Sequence, residues 1–572
     1  MNLLKLVSAI GLGIAFSLQS FGATLFHNGT IRTMDSNNPT VEAVLIDNKI
    51  ITAIGSKKEL EKITAKQSSK KLTLVDLKGN TLLPGFIDSH VHVRELGMDA
   101  VKANLVGTNT SEEMVERLRA KFPKPTKGEW LIGQGWDEGK FASIGYPDRS
   151  ALDKAFPNNP IQLESLHGFA GFYNARALEI AGITITTEDP KVGQILRRSN
   201  GQASGVLLTL AQSMVNKHVP EPSLETRKKA IVAGLNLMAA AGVSSVHEAG
   251  MTESDVEAFI ALRKENLLPI RVYGMLNGND KELMQYWFQR GPLIDATKML
   301  EVRGVKVFYD GSLGSRTAML KAPYSDHPEK ANPTERITPE DVLNLGQNSA
   351  QSGFQMAVHA IGDEGNNRTL AIYEESLAPF PNLDARWRIE HAQVVLADFY
   401  KRAANIGVVA SMQSSHAIGD SGWAEDRLGK DRIQHAYAWQ KMLAAGIPLA
   451  MNSDLPGEPW QPMKTLYFAV TRTRLDGTPA EGWYKEEALS GSEALTAMTI
   501  TNAYAAFQDP YIGSIKVGKF ADFVILDKDP LRVKDATLKS IEVLQTWVAG
   551  APAWTKDNIR EEKLVYERVP IK

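Results

Sequence analysis

At positions 82–92 the chain reads Leu82-Leu83-Pro84-Gly85-Phe86-Ile87-Asp88-Ser89-His90-Val91-His92. The apolar run begins around a Pro-Gly turn and ends in His90 and His92. Side chains two residues apart on a strand point to the same face of the sheet. Two imidazoles on one face, at the end of a buried strand, can reach the same metal ion. The stretch therefore predicts a strand that contributes part of a metal site.

Seven further apolar runs follow this one, and amphipathic helical patterns separate many of them. The eight predicted strands span residues 85–92, 243–248, 270–276, 302–310, 354–363, 387–393, 407–413 and 447–454. The predicted helices between them include 224–241, 253–265, 339–352, 370–376 and 433–445. Eight strands that alternate with helices indicate an α/β fold and a (β/α)8 TIM barrel.

Shorter strand patterns occupy the two ends of the chain. They cover residues 24–84 and return only near the C-terminus, so they predict one small β-sandwich domain built from 23–84 and 511–572. The barrel is assigned to residues 85–510. Its first two strands lie too far apart for one connecting helix, which predicts an insertion at about 95–222 that walls the barrel mouth.

Residues 1–22 have the pattern of a secretory signal peptide. An uncharged apolar run follows Lys5, and Ser20 and Gly22 supply small residues before Ala23. We expect cleavage between Gly22 and Ala23, and a protein that is exported to the periplasm or secreted, without membrane attachment after cleavage. An uncleaved anchor is the alternative.

The composition narrows the classes of function. The chain has 572 residues, 43% of them hydrophobic, and a net charge of −2 without blocks of like charge, so nothing indicates a nucleic-acid partner. It has no cysteine, which excludes disulfides and thiolate chemistry. A metal would be held by His, Asp, Glu or a modified Lys. The sequence leaves open whether the chain forms a homo-oligomer.

Polar residues close or interrupt five of the predicted barrel strands. They are His90 and His92 on the first, Lys306 on the fourth, His359 on the fifth, His391 on the sixth and Asp454 on the eighth. A single histidine after a strand is more often a structural residue than a ligand, and an aspartate often starts a turn. In a closed barrel, however, these five strand ends meet at one mouth. Their coincidence indicates a shared site.

Lys306 is unusual because Val305, Val307 and Phe308 surround it, whereas lysine is rarely buried without a partner. Burial lowers the pKa of a lysine, since desolvation disfavours the ammonium. The neutral amine can add carbon dioxide, and the resulting carbamate can bridge two cations.

The sequence therefore predicts two divalent ions, for which zinc suits the imidazole and carboxylate ligands. The predicted ligands are His90, His92 and Asp454 on one ion, His359 and His391 on the other, and carbamylated Lys306 between them.

From about residue 24 to about residue 555 the chain resembles the amidohydrolase superfamily, and within it the amidohydrolase-3 (YtcJ-like) group, which includes N-substituted formamide deformylase. Besides residues 83–92, the resemblance rests on Gly133-Gln134-Gly135-Trp136, the run from Lys306 to Ala318, His359-Ala360-Ile361-Gly362-Asp363, Glu390-His391, Met412-Gln413 with His416, Ser453-Asp454 and Gly518-Lys519-Phe520-Ala521-Asp522-Phe523. It implies a metal-dependent hydrolase with a composite β-domain and a distorted barrel. All six ligand positions of the binuclear pattern are present. Leu455 departs from the small residue that relatives often carry there, which bears on the shape of the pocket.

We expect hydrolysis of a non-peptide C–N bond, in an amide, N-formyl or N-acyl group of a small molecule, by a hydroxide that bridges the two metals. Asp454 would accept a proton from the hydroxide and return it to the leaving nitrogen. The predicted substrate contacts are Trp136, His167, Arg316 and His416. Packing of the insertion is the alternative role for Trp136, and capping of a turn is the alternative for His167.

Two other functions remain open at this point. A mononuclear deaminase of a heterocyclic ring would use His90, His92, a further histidine and Asp454, with a carboxylic acid near His359. Its chemistry does not need the buried lysine. A non-catalytic binding protein on the same barrel is the second alternative, although a degenerate chain should have lost ligands and this one has not.

Overall fold

The computed structural model describes residues 23–556, apart from 67–71, 138–140, 142–144, 166–169, 191–192, 331 and 457. Three predictions fall outside the described residues. They are the signal peptide at 1–22, the substrate residue His167, and the last part of the β-domain at 557–572.

The described strands fall into four sheets. In chain order they are β1 Thr24–His27, β2 Thr30–Arg32, β3 Thr40–Val41, β4 Ala43–Asp47, β5 Ile50–Gly55, β6 Thr73–Asp76, β7 Thr81–Pro84, β8 Phe86–Val91, β9 Ala103–Asn104, β10 Leu131–Trp136, β11 Ile161–Ser165, β12 Ala170–Tyr173, β13 Gly193–Arg197, β14 Ala203–Thr209, β15 Val243–Met251, β16 Arg271–Asn277, β17 Leu293–Ile294, β18 Leu300–Phe308, β19 Gln355–Ala360, β20 Arg388–His391, β21 Val409–Gln413, β22 Leu449–Asn452, β23 Phe523–Leu526, β24 Val543–Val548 and β25 Ala551–Thr555.

The α-helices in the described part of the chain lie mainly between the strands of the largest sheet. They are α1 Lys57–Lys66, α2 Val93–Val101, α3 Ser111–Lys121, α4 Ser150–Ala155, α5 Ala175–Ile180, α6 Ser213–Asn216, α7 Leu224–Ala240, α8 Glu253–Lys264, α9 Lys281–Arg290, α10 Pro339–Ser352, α11 Asp363–Leu377, α12 Phe399–Ile406, α13 Ser414–Asp420, α14 Ala424–Arg432, α15 Trp439–Ala444, α16 Pro462–Thr471, α17 Gly491–Ala497 and α18 Ile500–Ala505. Among the described residues, none of these helices has the length and apolar character needed to span a bilayer.

Eight parallel strands form the barrel. Their spatial order is β22-β21-β20-β19-β18-β16-β15-β8, which follows the order of the chain, and the two-residue β17 pairs antiparallel with β18. Each of the eight strands predicted from the sequence has its counterpart here. The predicted fold class, an α/β protein with a distorted (β/α)8 barrel and extra β structure from the chain termini, is confirmed.

The barrel is closed by isolated contacts between its first and last strands rather than by a full ladder. Val91, at the end of β8, pairs with Leu455 in a single parallel bridge. Asp454 donates its backbone N–H to the carbonyl oxygen of His90 at 3.0 Å, and His92 donates to that of Leu455 at 3.2 Å. The seam of the barrel therefore runs directly through residues that the sequence singles out as metal ligands.

The helices between the barrel strands begin and end where the sequence provides caps. Helix α10 starts with a proline, and the hydroxyl of Thr338 accepts the N–H of Asp341. It ends at Gly353, whose φ of 80° is favourable only for glycine. Helix α8 begins in a capping box formed by Thr252 and Asp255. Such local signals explain why the pattern of helices was readable from the sequence.

The insertion between β8 and β15 contains a six-stranded sheet in the order β13-β14-β12-β11-β10-β9, with a hydrophobic core of its own. Strands from both ends of the chain share another sheet, β25-β24-β23-β7-β2-β3, which packs beside β5-β4-β1-β6. Phe26 links these two sheets through edge contacts with Phe523 and Trp547, at ring distances of 5.4 and 5.0 Å. The exact domain boundaries given above stay predictions.

A buried ion pair ties the barrel to this terminal β structure. Arg271 on β16 donates to both carboxylate oxygens of Asp522, at 2.6 and 3.0 Å, and neither side chain is more than 3% exposed. The guanidinium also lies 4.2 Å from the centre of the Phe520 ring. This pair fixes the β structure against the barrel end opposite the mouth, since Arg271 begins its strand.

Candidate metal centre

The carboxyl ends of the barrel strands bring the six predicted ligands together. The ligands on strands are His90 on β8, Lys306 on β18, His359 on β19 and His391 at the end of β20. His92 directly follows β8, and Asp454 lies two residues after the end of β22. The His359 and His391 rings are 4.4 Å apart, and the His90 and His391 rings 5.4 Å apart. The chain folds this way because parallel barrel strands all end at the same rim.

Asp454 lies between imidazoles from three different strands. Its Oδ1 atom is 3.5 Å from Nε2 of His90 and 3.4 Å from Nε2 of His92. Its Oδ2 atom is 3.9 Å from Nδ1 of His391. Although burial by itself raises the pKa of Asp454, the surrounding histidines, among them His92 through a hydrogen bond, hold that pKa well below its usual range. The carboxyl group is therefore ionised, as a ligand requires.

Lys306 is completely buried, and its Nζ atom has no hydrogen-bond partner in the described part of the chain. Burial lowers the pKa of this amine to about 8, with Glu390 and Asp454 opposing the shift. The ring of Phe308 lies 4.4 Å from Nζ, which is a weak substitute for lost hydration. An unpartnered buried amine costs folding free energy, so its presence is itself evidence for a further partner.

His359 donates its Nε2 proton to the carbonyl oxygen of Gly311 at 3.0 Å. A carbonyl oxygen only accepts, so Nδ1 is the nitrogen of His359 that keeps a free lone pair. Burial, followed by the charge of Lys306, lowers the pKa of His359 to about 3. Burial likewise lowers the pKa of His90 and holds that of His391 well below 6.5. These imidazoles are neutral, which is the state that binds metals.

A buried ion pair lies behind His90. The Glu390 carboxylate accepts from Nδ1 of His90, and Arg388 donates to both oxygens of Glu390 at 2.6 and 3.0 Å. Burial alone raises the pKa of Glu390, but Arg388 and His90 outweigh it and hold that pKa far below its usual value. The carboxylate orients the ring and leaves Nε2 of His90 facing Asp454.

Two further buried carboxyl groups hold the backbone on either side of the His-x-His motif. Asp88 accepts from the backbone N–H and the hydroxyl of Ser453, at 3.1 and 2.5 Å, and burial raises its pKa to about 7. Glu248 on β15 accepts the backbone N–H of Val93 at 2.8 Å, and burial raises its pKa to about 8. Both groups position residues of the centre rather than entering it.

The backbone is strained at two residues of the centre. His391 has a φ of 77° and Asp454 a φ of 51°, which are left-handed values that residues with a Cβ rarely adopt. Strain of this kind persists where surrounding contacts over-determine the conformation, and it concentrates at functional sites.

Of the three predicted substrate residues that the structure describes, His416 is the one that lies at the centre. Its Nε2 atom is 3.7 Å from Oδ2 of Asp454, and its ring is stacked 5.8 Å from that of His391. Arg316 is bound to Asp326 through hydrogen bonds of 2.6 to 3.2 Å and lies on the loop after β18. An anionic substrate group would have to compete with that carboxylate.

Trp136 is fully buried in the core of the insertion sheet. Its indole N–H donates to the carbonyl oxygen of Leu163 at 3.0 Å, and its ring packs against Phe141 and Phe172. The side chain would have to leave this core to touch a ligand, so its substrate role stays a prediction. His167 lies outside the described residues.

The residues present fit a divalent metal. One atom from each of His90, His391 and Asp454 lies within 4.8 Å of the others, a spacing from which three ligands can hold one ion. The unpartnered amine of Lys306 is the further group that a two-metal centre with a carbamate bridge requires. Neutral imidazoles and carboxylate oxygens are the donor set that zinc prefers in a protein without cysteine.

Several polar residues to which the sequence assigned no role support the centre. Arg388, Ser411, Gln413 and Asn452 are buried and hydrogen-bonded to ligands or to one another. The sequence carried only a weak indication that these residues support the centre. Arg388 and Glu390 alternate on one strand, and Gln413 and Asn452 are each the last residue of an apolar strand. Polar residues at such positions are also common in loops.

A family model described as "Amidohydrolase family" matches residues 73–553. Among curated relatives, the chain is 32% identical to Protein LONG AFTER FAR-RED 3 of Arabidopsis thaliana, covering 92% of this chain and 90% of that one. It is 30% identical to the putative amidohydrolase YtcJ of Bacillus subtilis (strain 168), covering 93% and 99%. It is 26% identical to N-substituted formamide deformylase of Arthrobacter pascens, covering 91% and 96%.

Among solved structures, the chain is similar to an uncharacterized metal-dependent hydrolase from Pyrococcus horikoshii, with a TM-score of 0.74 and 27% identity. The alignment covers 90% of this chain and 99% of that one. The resemblance therefore extends over the insertion and the terminal β structure as well as the barrel.

Proposed function

This chain belongs to the amidohydrolase family, and we propose that it is a metal-dependent hydrolase that cleaves a non-peptide C–N bond, an amide, N-formyl or N-acyl linkage, in a small molecule. The observation that carries the proposal is the buried, unpartnered amine of Lys306 beside neutral imidazoles and an ionised Asp454. The formamide deformylase relative supports the type of bond.

Two divalent ions, most suitably zinc, would be held by His90, His92 and Asp454 on one side and by His359 and His391 on the other, with carbamylated Lys306 between them. When bound, such ions lower the pKa of water to about 7 and polarise a carbonyl group as Lewis acids. Desolvation keeps much of the Lys306 amine neutral near pH 8, which is the form that adds carbon dioxide.

Asp454 is the residue proposed to move the proton. Its Oδ2 atom faces His416 at 3.7 Å, and its side chain is 17% exposed at the mouth of the barrel, so a substrate can approach it. Asp454 would accept a proton from the attacking water and transfer it to the leaving nitrogen, so that an amide and water become a carboxylic acid and an amine. His416 would bind the substrate carbonyl or nitrogen beside it.

The arrangement of other carboxylates favours this reaction over deamination with a single metal. A deaminase would need an acid near His359. Oδ1 of Asp310 lies 3.4 Å from Nε2 of His359, but this carboxylate accepts three backbone N–H groups at 2.9 to 3.0 Å. The residues available nearby in sequence are Asp363 and Glu364. Asp363 accepts the backbone N–H of Lys321 at 2.7 Å, and Glu364 bonds to Arg368 at 2.7 Å. Both groups are engaged in holding helix α11, and a deaminase has no use for Lys306.

We further propose that the protein is exported, to the periplasm or outside the cell, and that its partner is a small-molecule amide rather than a nucleic acid or a membrane. N-terminal sequencing of the protein recovered from the producing cells, with a new N-terminus at Ala23, would support export. Recovery with Met1 only, or solely in the cytoplasm, would contradict it.

The function is tested by loading purified protein with Zn²⁺ in the presence of bicarbonate and measuring amine release from a panel of N-formyl and N-acyl amines. We expect metal-dependent hydrolysis, two ions per chain by elemental analysis, and loss of activity in Lys306→Met. Ammonia release from heterocyclic amines by a protein with one ion per chain would instead identify a deaminase.

A further inference from the structure

We propose that one buried carboxylate, that of Glu390, fixes the tautomers of both His90 and His391 through a chain of hydrogen bonds, so that Nδ1 carries the proton in each ring. The links in this chain are Ser411, Asn452 and Gln413. We call the six residues the tautomer circuit. The inference rests on the metal centre proposed above, and it gives a role to four residues outside the ligand set.

The register of the parallel strands places the links side by side. Glu390 on β20 is paired with Ser411 on β21, and Gln413 on β21 is paired with Asn452 on β22. Ser411 and Asn452 are joined across the β21–β22 pair by a hydrogen bond of 2.9 Å between Oγ and Nδ2. The circuit thus passes along the barrel wall from the sixth strand to the eighth.

The direction of each hydrogen bond follows from the ion pair at one end. A guanidinium only donates and an ionised carboxylate only accepts. Arg388 donates to both oxygens of Glu390 and also to Oγ of Ser411, at 3.0 Å. Glu390 therefore has no proton to give to any of its neighbours.

Ser411 has a single proton and three polar neighbours. Its Oγ atom is 2.7 Å from Oε2 of Glu390, which can only accept, so the hydroxyl proton goes to that oxygen. The Oγ atom of Ser411 can then only accept from its other neighbours, so Asn452 donates to it from Nδ2. The side-chain amide of Asn452 is thereby turned so that its oxygen faces Gln413.

The same reasoning continues to His391. Gln413 donates from Nε2 to Oδ1 of Asn452 at 2.8 Å, which turns its oxygen toward the imidazole. That oxygen lies 3.0 Å from Nδ1 of His391 and can only accept. Nδ1 of His391 must therefore carry the proton, and in the neutral ring Nε2 has none.

At the other end of the circuit, Oε2 of Glu390 accepts directly from Nδ1 of His90. Nε2 of His90, 3.5 Å from Oδ1 of Asp454, is therefore the nitrogen with a free lone pair. Both imidazoles receive the same tautomer from one carboxylate, although Glu390 forms a hydrogen bond with only one of them among the described residues.

Burial of the circuit is the reason why each of its side chains has one stable orientation. None of its six residues is more than 4% exposed, so water has no access with which to replace a missing donor or acceptor. A side-chain amide in the wrong orientation would leave two acceptors or two donors facing each other in a medium of low dielectric constant. Each link is therefore held in one orientation.

The test measures the tautomers directly in the metal-free protein. Long-range ¹H–¹⁵N spectra of protein labelled with ¹⁵N-histidine distinguish Nδ1–H from Nε2–H, and the signals are assigned by their loss in His90→Asn and His391→Asn. The deciding variant is Ser411→Ala, because Ser411 bonds to neither imidazole among the described residues. The matched control is Ser245→Ala, which removes a buried hydroxyl from β15 whose partner among the described residues is Gln508.

We expect the unchanged protein and Ser245→Ala to show only Nδ1–H at both rings. Ser411→Ala should keep that form at His90 but show both tautomers at His391, with zinc affinity lowered by about 10- to 100-fold in competition with a chelator. The proposal is overturned if His391 carries Nε2–H in the unchanged protein. It is equally overturned if Ser411→Ala leaves His391 entirely as Nδ1–H.

A second pair of variants keeps the test valid if Ser411→Ala does not fold. Gln413→Glu retains the oxygen that faces His391, whereas Gln413→Met has similar length but no acceptor. We expect Nδ1–H at His391 in the first variant and a mixture in the second, and equal behaviour of the two refutes the circuit. None of these measurements depends on hydrolysis, so failure of the amide assay and failure of the circuit are separate results.

Discussion

Ser453 donates its backbone N–H and its hydroxyl to the carboxylate of Asp88, a residue 365 positions earlier in the chain. Asp88 lies two residues before His90, and Ser453 immediately precedes Asp454. The contact therefore sets the distance between ligands that belong to the first and the last barrel strands. The contact is structural, and its loss should change the geometry of the metal centre.

We predict that Asp88→Ala lowers the free energy of unfolding by about 1–3 kcal/mol, because the N–H and hydroxyl of Ser453 lose their acceptor in a buried place. Metal content should fall as well, since Asp454 is no longer held near His90. Urea unfolding and elemental analysis measure the two effects. Asp88→Asn, which keeps one acceptor oxygen, is the matched control. Its stability and metal content should lie between those of the unchanged protein and those of Asp88→Ala. Full metal content in the alanine variant would contradict this role.

Glu248 predicts a dependence of stability on pH. Its pKa is raised to about 8 in the folded protein, above its unfolded value of about 4.5, so the folded state holds the proton more tightly. This contribution to stability is complete below about pH 4.5 and is lost as pH rises to about 8. Glu248→Gln, which imitates the protonated acid, should therefore gain stability relative to the unchanged protein as pH rises from 5 to 8. Urea unfolding of both metal-free proteins measures the difference, and a gap that narrows with pH would disprove the assignment.

Lys306 predicts that assembly of the metal centre depends on pH and on carbon dioxide. The pKa of its amine is lowered to about 8, so the fraction that is neutral and reactive rises as pH passes through that value. Reconstitution of metal-free protein with Zn²⁺ and bicarbonate should be faster at pH 9 than at pH 7, and slow without bicarbonate. Lys306→Arg stays charged at every pH and should not assemble the two-metal centre. Rates that do not respond to bicarbonate would rule out the carbamate.

The ion pair between Arg271 and Asp522 should be important for folding but not for chemistry. Arg271→Met leaves a buried carboxylate without its partner and should cost about 3–5 kcal/mol. The double variant Arg271→Met, Asp522→Leu should recover most of that loss. The exposed pair of Lys281 and Asp341 offers a comparison, for which Lys281→Met should cost less than about 1 kcal/mol. Equal losses at the two pairs would contradict the importance of burial.

His416 should affect the substrate rather than the metals. It lies 3.7 Å from Asp454 and stacks on His391, and no predicted ion depends on it. His416→Asn should keep the metal content of the unchanged protein and lower kcat/KM by about tenfold to a hundredfold, the effect of one lost hydrogen bond to a polar substrate group. Elemental analysis and steady-state kinetics are the two measurements. A variant that loses metal would make His416 a ligand instead.

The barrel was predictable because its strands are apolar runs, and polar residues close or interrupt five of them. His359 and His391 end their runs one βα unit apart, and Lys306 interrupts the fourth run. Parallel strands of a barrel end at one rim whatever the loops do, so the meeting of these residues follows from the strand pattern alone.

The supporting hydrogen bonds could not be predicted, because they depend on register. Ser411 meets Glu390 only through the pairing of two strands whose relative shift no sequence pattern specifies. Trp136 shows a second difficulty, since its substrate role stays a prediction while its side chain packs in the core of the insertion, the alternative that the sequence left open. The sequence of a motif such as Gly133-Gln134-Gly135-Trp136 is the same whether its aromatic residue contacts a ligand or packs in a core.

The seam between Val91 and Leu455 also imposes an order of events during synthesis. His90 and His92 leave the ribosome early, and the chain must extend through all the intervening strands before Asp454 and the bridge residue Leu455 emerge. A nascent chain thus presents a pair of histidines long before it has the carboxylate that completes their surroundings. The full set of ligands is consequently assembled late, once the eighth strand has paired with the first and closed the barrel.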